Sequence, residues 1–348
     1  MSPRVVVRGA GSIGRRHAEV MRDLGAETRL WPVRDRGEST DRETGVRLVA
    51  ASEGIAACRD ADLVVIATDT SRHVRDTLEA LDRGCGRVLL EKPVAPDFAS
   101  CRSLLTHPRA SDVFVAAPLR ALLGFRDVMH RAGAVGQPAS AHICSQSWLP
   151  DWRPQSDYRR SYSARAGEGG ALRDLVHEID YASLLFGLPV FLSAQLEHNG
   201  PLETDAEQGA SILWRTTSGA TITMRLDYIT RPSIRRLELH GPDGSLSWDL
   251  TTATVRATST AGEVTATVFH DDLDRNLVMT TQANAALSHS PLDDPAVLRE
   301  AGAPATLAEG CAAVAICDQA RQSDVLATET KPPGVAPYHP STEGTTQP

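Results

Sequence analysis

Two residues stand out for the chemistry they could do. The chain holds only two lysines against 34 arginines, and one of them, Lys92, lies in Glu91-Lys92-Pro93. Where arginine supplies almost every positive charge, a lysine marks a place where guanidinium would not serve. An ammonium is a compact donor whose pKa falls on burial, so it can join proton transfer, whereas guanidinium stays protonated. The other lysine, Lys331, sits in a Pro-rich polar stretch and reads as a solvated residue. The second candidate is His177, in Arg173-Asp174-Leu175-Val176-His177-Glu178-Ile179-Asp180. Asp174, His177 and Asp180 recur at intervals of three, so on a helix neighbours in the series share a face. A histidine flanked by carboxylates is oriented and made more basic, as a general base for an alcohol proton must be. Either Asp174 or Asp180 could do the orienting, and the competing reading is a helix whose histidine is merely satisfied. A metal site is not expected, because Cys58, Cys85, Cys101, Cys144, Cys311 and Cys317 are scattered and too few other ligands cluster.

A third element is Gly9-Ala10-Gly11-Ser12-Ile13-Gly14, a GxGxxG set between an apolar run and a helical pattern. The first glycine permits the turn, the second lets the backbone approach a pyrophosphate, and the third packs helix on strand. The free N–H groups of the helix then face the phosphates. This places a dinucleotide, NAD or NADP, on Gly9, Gly11, Ser12, Ile13 and Gly14. The residue that chooses between them falls at the end of the second strand, where Arg34 and Asp35 are adjacent: an acid would bind the ribose hydroxyl of NAD, an arginine the 2′-phosphate of NADP. Both readings stay open. Thr68 and His73 flank the end of the fourth strand and Glu91 and Lys92 the end of the fifth, on the cofactor edge of such a sheet. Thr68 and His73 read equally well as a helix cap and a surface histidine.

Between these halves lies Trp148-Leu149-Pro150-Asp151-Trp152-Arg153 through Tyr158-Arg159-Arg160-Ser161-Tyr162, which holds four of the chain's ten Trp and Tyr residues. Aromatic faces and arginine forks suit a polyhydroxylated ring with a polar or negative group. Trp152, Arg153, Tyr158 and Tyr162 are the candidates here, unless the segment simply packs across a sheet.

These groups need a scaffold. Apolar runs at 5–7, 28–33, 46–49, 63–67, 87–90 and 113–116, with helical patterns at 13–24, 71–83 and 97–106 between them, predict a doubly wound parallel sheet. From about 139 to 270 the runs lengthen and alternate in period two around Thr217-Ser218-Gly219 and Gly241-Pro242-Asp243-Gly244, predicting an open, mostly antiparallel sheet. Helices are expected at 170–185, 273–287 and 305–320. The fold class is therefore α/β, a Rossmann domain over 1–120 followed by an α+β substrate domain over 121–331 and a Pro/Ser/Thr/Gly-rich, disordered tail over 332–348. A net charge of −8 argues against nucleic acid or a membrane surface as partner. No run reaches membrane-spanning length, and the unpaired cysteines fit a cytoplasmic protein.

In this order the motifs resemble the Gfo/Idh/MocA oxidoreductase family of glucose–fructose oxidoreductase and inositol dehydrogenase relatives. The matching residues are Gly9 to His17, Glu91-Lys92-Pro93, Arg120 after the sixth strand, and Gly169-Gly170 with His177-Glu178-Ile179-Asp180. The resemblance implies hydride transfer between NAD(P) and a secondary alcohol of a sugar or cyclitol, with Lys92 and His177 in the site. It also implies a homo-oligomer built on the C-terminal sheet, and Arg120 is placed with the substrate. Many members have an aspartate four residues before the histidine; here Arg173 stands there and Asp174 follows. That form, with Leu149-Pro150-Asp151-Trp152-Arg153-Pro154, is similar to a subgroup, and the arginine-heavy composition suggests cyclitol or sugar chemistry in antibiotic biosynthesis, as in the streptidine branch of streptomycin. Lys92, His177 and Asp174 form the expected catalytic set. A silent NAD(P)-binding regulator or scaffold is the rival class.

Overall fold

The computed structural model describes residues 2–34, 37–288 and 302–325. Asp35, Arg36, Lys331 and the tail 332–348 lie outside the described residues.

Strands that are apolar at every position need cover on both faces, and here they have it. The first sheet contains β1 (Arg4–Arg8), β2 (Glu27–Trp31), β3 (Ser39–Thr40), β4 (Arg47–Leu48), β5 (Leu63–Ile66), β6 (Arg87–Leu90) and β7 (Val113–Val115). Its centre runs β7-β6-β5-β1-β2-β4 and is parallel throughout, with Val5, Val7, Val64, Val65 and Leu89 almost wholly buried. The helices are α1 (Ser12–Asp23), α2 (Ala51–Arg59), α3 (Thr70–Asp82) and α4 (Phe98–Leu105). Sequence reading does not anticipate α2, because Ala51–Arg59 is mostly small residues and carries no stripe of large apolar ones.

The second sheet holds β8 (Ser140–Trp148), β9 (Phe191–Glu197), β10 (Gly209–Arg215), β11 (Thr221–Asp227), β12 (Ile229–Gly241), β13 (Gly244–Asp249), β14 (Thr254–Ser259) and β15 (Val264–Val268). Its order is β15-β14-β13-β12-β8-β11-β10-β9, antiparallel except where β8 meets β11. One face packs on α5 (Leu123–Arg131), α6 (Ala171–Asp174), α7 (Val176–Phe186) and the last helix of the described chain, around Phe125, Tyr181, Trp214 and Trp248. The other face of β10 exposes Ser211, Leu213 and Arg215 in the alternation expected of a one-sided sheet.

The single helix expected over 170–185 is two helices. Leu175, at φ −97° and ψ 26°, separates α6 from α7 and breaks the register between Asp174 and His177. After the second sheet the chain returns to the first. Helix α8 (Arg275–Leu287) lies along α1, with Met279, Ala283 and Ala286 in the core of Val5, Val7 and Met21. A two-residue strand, β16 (Ala305–Thr306), then pairs antiparallel with β7, and α9 (Leu307–Val325) runs from α4 across to β9. The stretch grouped by sequence with the second domain thus closes the first as well.

Candidate active site

The turn between β1 and α1 is built for close approach. Gly9 has φ +113°, and a Cβ there would strike the carbonyl of Ala67; one on Gly14 would strike that of Gly9. A Cβ on Gly11 would meet nothing within 4 Å. Gly11 caps α1 without a side-chain acceptor, so the first-turn N–H groups, those of Ser12 and Ile13 among them, point into that open space. The loop therefore fits a pyrophosphate. Arg8 braces it from behind: its guanidinium lies 3.9 Å from the Trp31 ring centre, donates to the Pro32 carbonyl at 2.7 Å, and is pulled below its ordinary pKa by burial. Arg34 is exposed, and its neighbour Asp35 is outside the described residues.

At the ends of β5 and β6 the chain tightens into one assembly. Thr68 Oγ1 is buried and makes no hydrogen bond among the described residues. Both ring nitrogens of His73 lie against main-chain carbonyls. The residue is 1% exposed, with Nδ1 2.8 Å from the Pro93 carbonyl and Nε2 3.0 Å from that of Thr68, so it ties two strand ends together. Burial pulls its pKa down. Glu91 is likewise engaged by protein: Oε1 meets His17 Nε2 at 2.7 Å, and Oε2 accepts the Lys92 N–H at 3.2 Å. Burial pushes the Glu91 carboxyl up, but the hydrogen bond and charge of His17 and the ammonium of Lys92 together hold it below its usual range. His17, given no role in the sequence reading, thus clamps α1 to the lysine segment. The peptide before Pro93 is cis.

Lys92 crosses from the end of the first sheet to α6: its Nζ donates to the main-chain carbonyl of Asp174 at 2.8 Å. The Asp174 carboxylate is buried, and its Oδ2 accepts the Tyr228 hydroxyl at 2.7 Å. His177, half-buried at the start of α7, is held well below the ordinary histidine pKa, by burial first and then by the cations of Lys92, Arg235 and Arg275. This favours its neutral form, and it makes no side-chain hydrogen bond among the described residues.

Neither aspartate orients His177 as expected. Asp174 points to Tyr228 because the break at Leu175 turns it away. Asp180 forms a fork with Arg120, Nε to Oδ2 at 2.8 Å and Nη2 to Oδ1 at 2.7 Å. Arg120 Nη1 goes to Glu309 at 3.0 Å, so all three of its nitrogens hold β7, α7 and α9 together and the substrate role expected of Arg120 does not fit. Beside His177, Glu178 is fully buried in a second fork from Arg235.

The 148–162 segment divides. Tyr158 packs into a small cluster with Leu149, Leu202 and Tyr228, its hydroxyl accepts the Glu203 N–H at 3.2 Å, and it also lines a cavity with Trp152 and Arg153. Trp152 is exposed and stands edge-on to Tyr228, ring centres 5.4 Å apart, so it borders the Asp174 assembly. Tyr162 lies against Asp174: burial first and then that carboxylate raise its phenol pKa, while Arg153 opposes them. Trp152 and Arg153 line a cavity of about 410 Å³ beneath the segment.

Family models match both halves of this arrangement. Residues 3–117 match the oxidoreductase family NAD-binding Rossmann fold, and residues 128–247 match the GFO/IDH/MocA C-terminal domain. The chain belongs to the Gfo/Idh/MocA oxidoreductase family. It is an NAD-binding oxidoreductase, with the Rossmann sheet and the mostly antiparallel C-terminal sheet of that family. No protein of curated function matches its sequence significantly. Among solved structures, levoglucosan dehydrogenase in complex with NADH superposes with a TM-score of 0.75 at 16% identity, over 93% of this chain and 97% of that one. The UDP-N-acetylglucosamine 3-dehydrogenase of Acidithiobacillus ferrooxidans gives 0.72 at 18% identity, over 93% and 98%. An oxidoreductase of Agrobacterium radiobacter in complex with NAD+, L-tartaric acid and magnesium gives 0.72 at 18%, over 94% and 97%. At these identities the likeness is one of fold. No described helix is long and apolar enough to cross a membrane, and no group of three or more His, Cys, Asp or Glu among the described residues could hold a metal.

Proposed function

We propose that this chain interconverts a secondary alcohol and a ketone on a polyhydroxylated ring, a sugar or cyclitol. The observation that carries the reading is the Lys92–Asp174 hydrogen bond of 2.8 Å, which pins the one lysine of the Rossmann sheet onto the turn that presents His177. A neutral His177 accepts the hydroxyl proton during oxidation and returns it during reduction. Lys92 keeps two of its three N–H donors for the reacting oxygen, which gains negative charge as the proton leaves. Glu91 and His17 hold Lys92 from one side and the Asp174 carbonyl holds it from the other. When bound, the nicotinamide supplies the hydride acceptor or donor. Trp152 and Tyr162 cover the ring's C–H faces. The dehydrogenase names of the structural neighbours support a sugar, and the arginine-heavy composition supports a cyclitol or sugar of antibiotic synthesis as the finer assignment.

The open face of the second sheet, with exposed Leu213 and Ile234 beside the Arg225–Glu197 ion pair, supports association with a second copy. The six cysteines are all unpaired, which favours work in the cytoplasm. The test is a panel of sugars, cyclitols and short acyclic alcohols with NAD and with NADP, following the absorbance of the reduced nicotinamide. Ring substrates should dominate, because unpaired polar groups penalise a ligand that cannot fill them. Efficient turnover of a small acyclic alcohol, with none of any ring, would defeat the assignment.

A further inference from the structure

The residue after His177 is held in a way that packing alone does not call for. Glu178, in the first turn of α7, is fully buried, and Arg235 forks its carboxylate, Nε to Oε1 at 2.7 Å and Nη2 to Oε2 at 3.2 Å. Arg235 reaches it from β12. Along that strand Arg235, Leu237 and Leu239 share one face by the two-residue period, and the two leucines belong to the core. An arginine thus stands where the alternation calls for a third apolar side chain. The register between β12 and β8 shifts between Ile229 and Ile234, immediately before it. Such an irregularity decides which face the next residues take, and a slip of one would turn Arg235 to the other side of the sheet.

Taking a carboxylate and a guanidinium out of water is costly, and well-packed apolar residues in their place are often as stable or more so. Stability therefore gives no sufficient reason for the pair. The Arg120–Asp180 fork on the same helix has its account in the fold, because Arg120 also takes Glu309 and ties three elements together. Arg235 makes no ion pair except that with Glu178 among the described residues. What adjoins this pair is His177, whose ring has no side-chain hydrogen bond among the described residues and so takes its direction from the turn that carries it. The helix is seated by Val176, Ile179, Tyr181 and Ala182, and apolar contacts, being non-directional, resist separation better than a small slide or roll. A bidentate fork is directional and resists both. It acts one residue from the ring, just after the break at Leu175 where α7 begins.

We propose that Arg235, acting through Glu178, is a positioning residue for His177, fixing the first turn of α7 so that the imidazole is presented to the reacting hydroxyl. The inference rests on the reading of His177 as the base, and the role it assigns is orientation, not proton transfer. It is tested with the double variant Arg235→Met, Glu178→Met, which replaces the pair by apolar side chains, and with Arg235→Lys, which keeps a cation without the fork. Each is compared with the wild type in melting temperature, in kcat and KM for the best substrate among glucose, galactose and myo-inositol, and in the crystal structure of its NADH complex. The double variant should melt close to the wild type. Its kcat should fall about tenfold or more while KM changes less than about threefold, because a displaced base costs rate rather than affinity. The His177 ring should be shifted or spread over more than one orientation, and Arg235→Lys should fall between the two. A double variant that melts like the wild type and keeps both its kcat and its His177 orientation overturns the proposal, since the pair then serves packing alone. So does a rise in KM that outweighs the fall in kcat, which would give Arg235 to the substrate. If the double variant does not fold, Arg235→Lys decides: lowered kcat at unchanged KM upholds the proposal, and unchanged kcat overturns it. A wild type that oxidises no ring alcohol defeats the dehydrogenase reading instead, and the orientation of His177 in the variant structures still decides whether the fork sets the ring.

Discussion

The chemistry turns on two side chains whose surroundings push them toward different tasks. Lys92 is held at three points, by Glu91 through its main chain, by the Asp174 carbonyl through Nζ, and by His17 through Glu91. Arginine there would be bulkier, could not release a proton, and would point its fork past the Asp174 carbonyl. Lys92→Arg should bind NADH as the wild type does, in a fluorescence titration, yet lose about 10²-fold or more in kcat. Near-normal turnover would remove Lys92 from the mechanism. His177 makes a sharper case, because its pKa is displaced downward from 6.5. The form that accepts a proton then predominates well into the acid range. For alcohol oxidation, kcat/KM should stay level as pH falls to about 6.5 and decline only below it, and His177→Gln should remove that acid limb along with most of the rate. A decline centred above the ordinary histidine pKa, or one that survives in His177→Gln, would place the base elsewhere.

At the scale of the element, the β1–α1 turn separates what folding needs from what the cofactor needs. Gly9 and Gly14 are small because backbone lies against them, whereas Gly11 faces empty space. Gly14→Ala should therefore drive α1 off β1 and lower the melting temperature markedly. Gly11→Ala should melt as the wild type does but lose NADH affinity, since its methyl group would occupy the space a pyrophosphate approaches. Thermal melts and NADH titration on the same two proteins check both halves, and a Gly11→Ala protein with unaltered NADH affinity would contradict the role given to the turn. The broken helix at Leu175 works similarly. By ending α6 before α7 begins, it sends the Asp174 carbonyl to Lys92 and the Asp174 carboxylate to Tyr228, which an unbroken helix would not do.

Across the whole molecule the two sheets are joined by buried charge as well as by apolar packing. Arg120 follows the last parallel strand and gathers Asp180 from α7 and Glu309 from α9, and despite its burial those carboxylates hold its pKa above the usual arginine value. Removing the cation strands two acids, one of them at a nearly buried site. Arg120→Met should cost about 3–5 kcal/mol in denaturant-derived stability. Because Arg120 faces protein on all sides, KM of the surviving folded enzyme should move little. A large KM effect with unchanged stability would return Arg120 to the substrate.

Much of this was legible in order of sequence separation. The parallel sheet could be read because strands buried on both faces must be apolar at consecutive positions, and the one-sided sheet because its strands alternate. The phosphate turn and Lys92 were legible too: local backbone sterics demand glycine, and a lone lysine among arginines is a chemical choice visible without coordinates. What depended on tertiary structure was every pairing across the chain. Arg120, His73, Glu91 and Tyr158 have the right types for ligand contacts, and they are engaged by Asp180, two carbonyls, His17 and the Glu203 N–H, partners 5 to 74 residues away. Tyr228 and Arg275 gave the opposite lesson, since no local pattern marks a residue that matters because a distant strand or helix delivers it. A side chain's charge and shape are written at its own position, but whether its donors are free or spent depends on what the folded chain brings beside it.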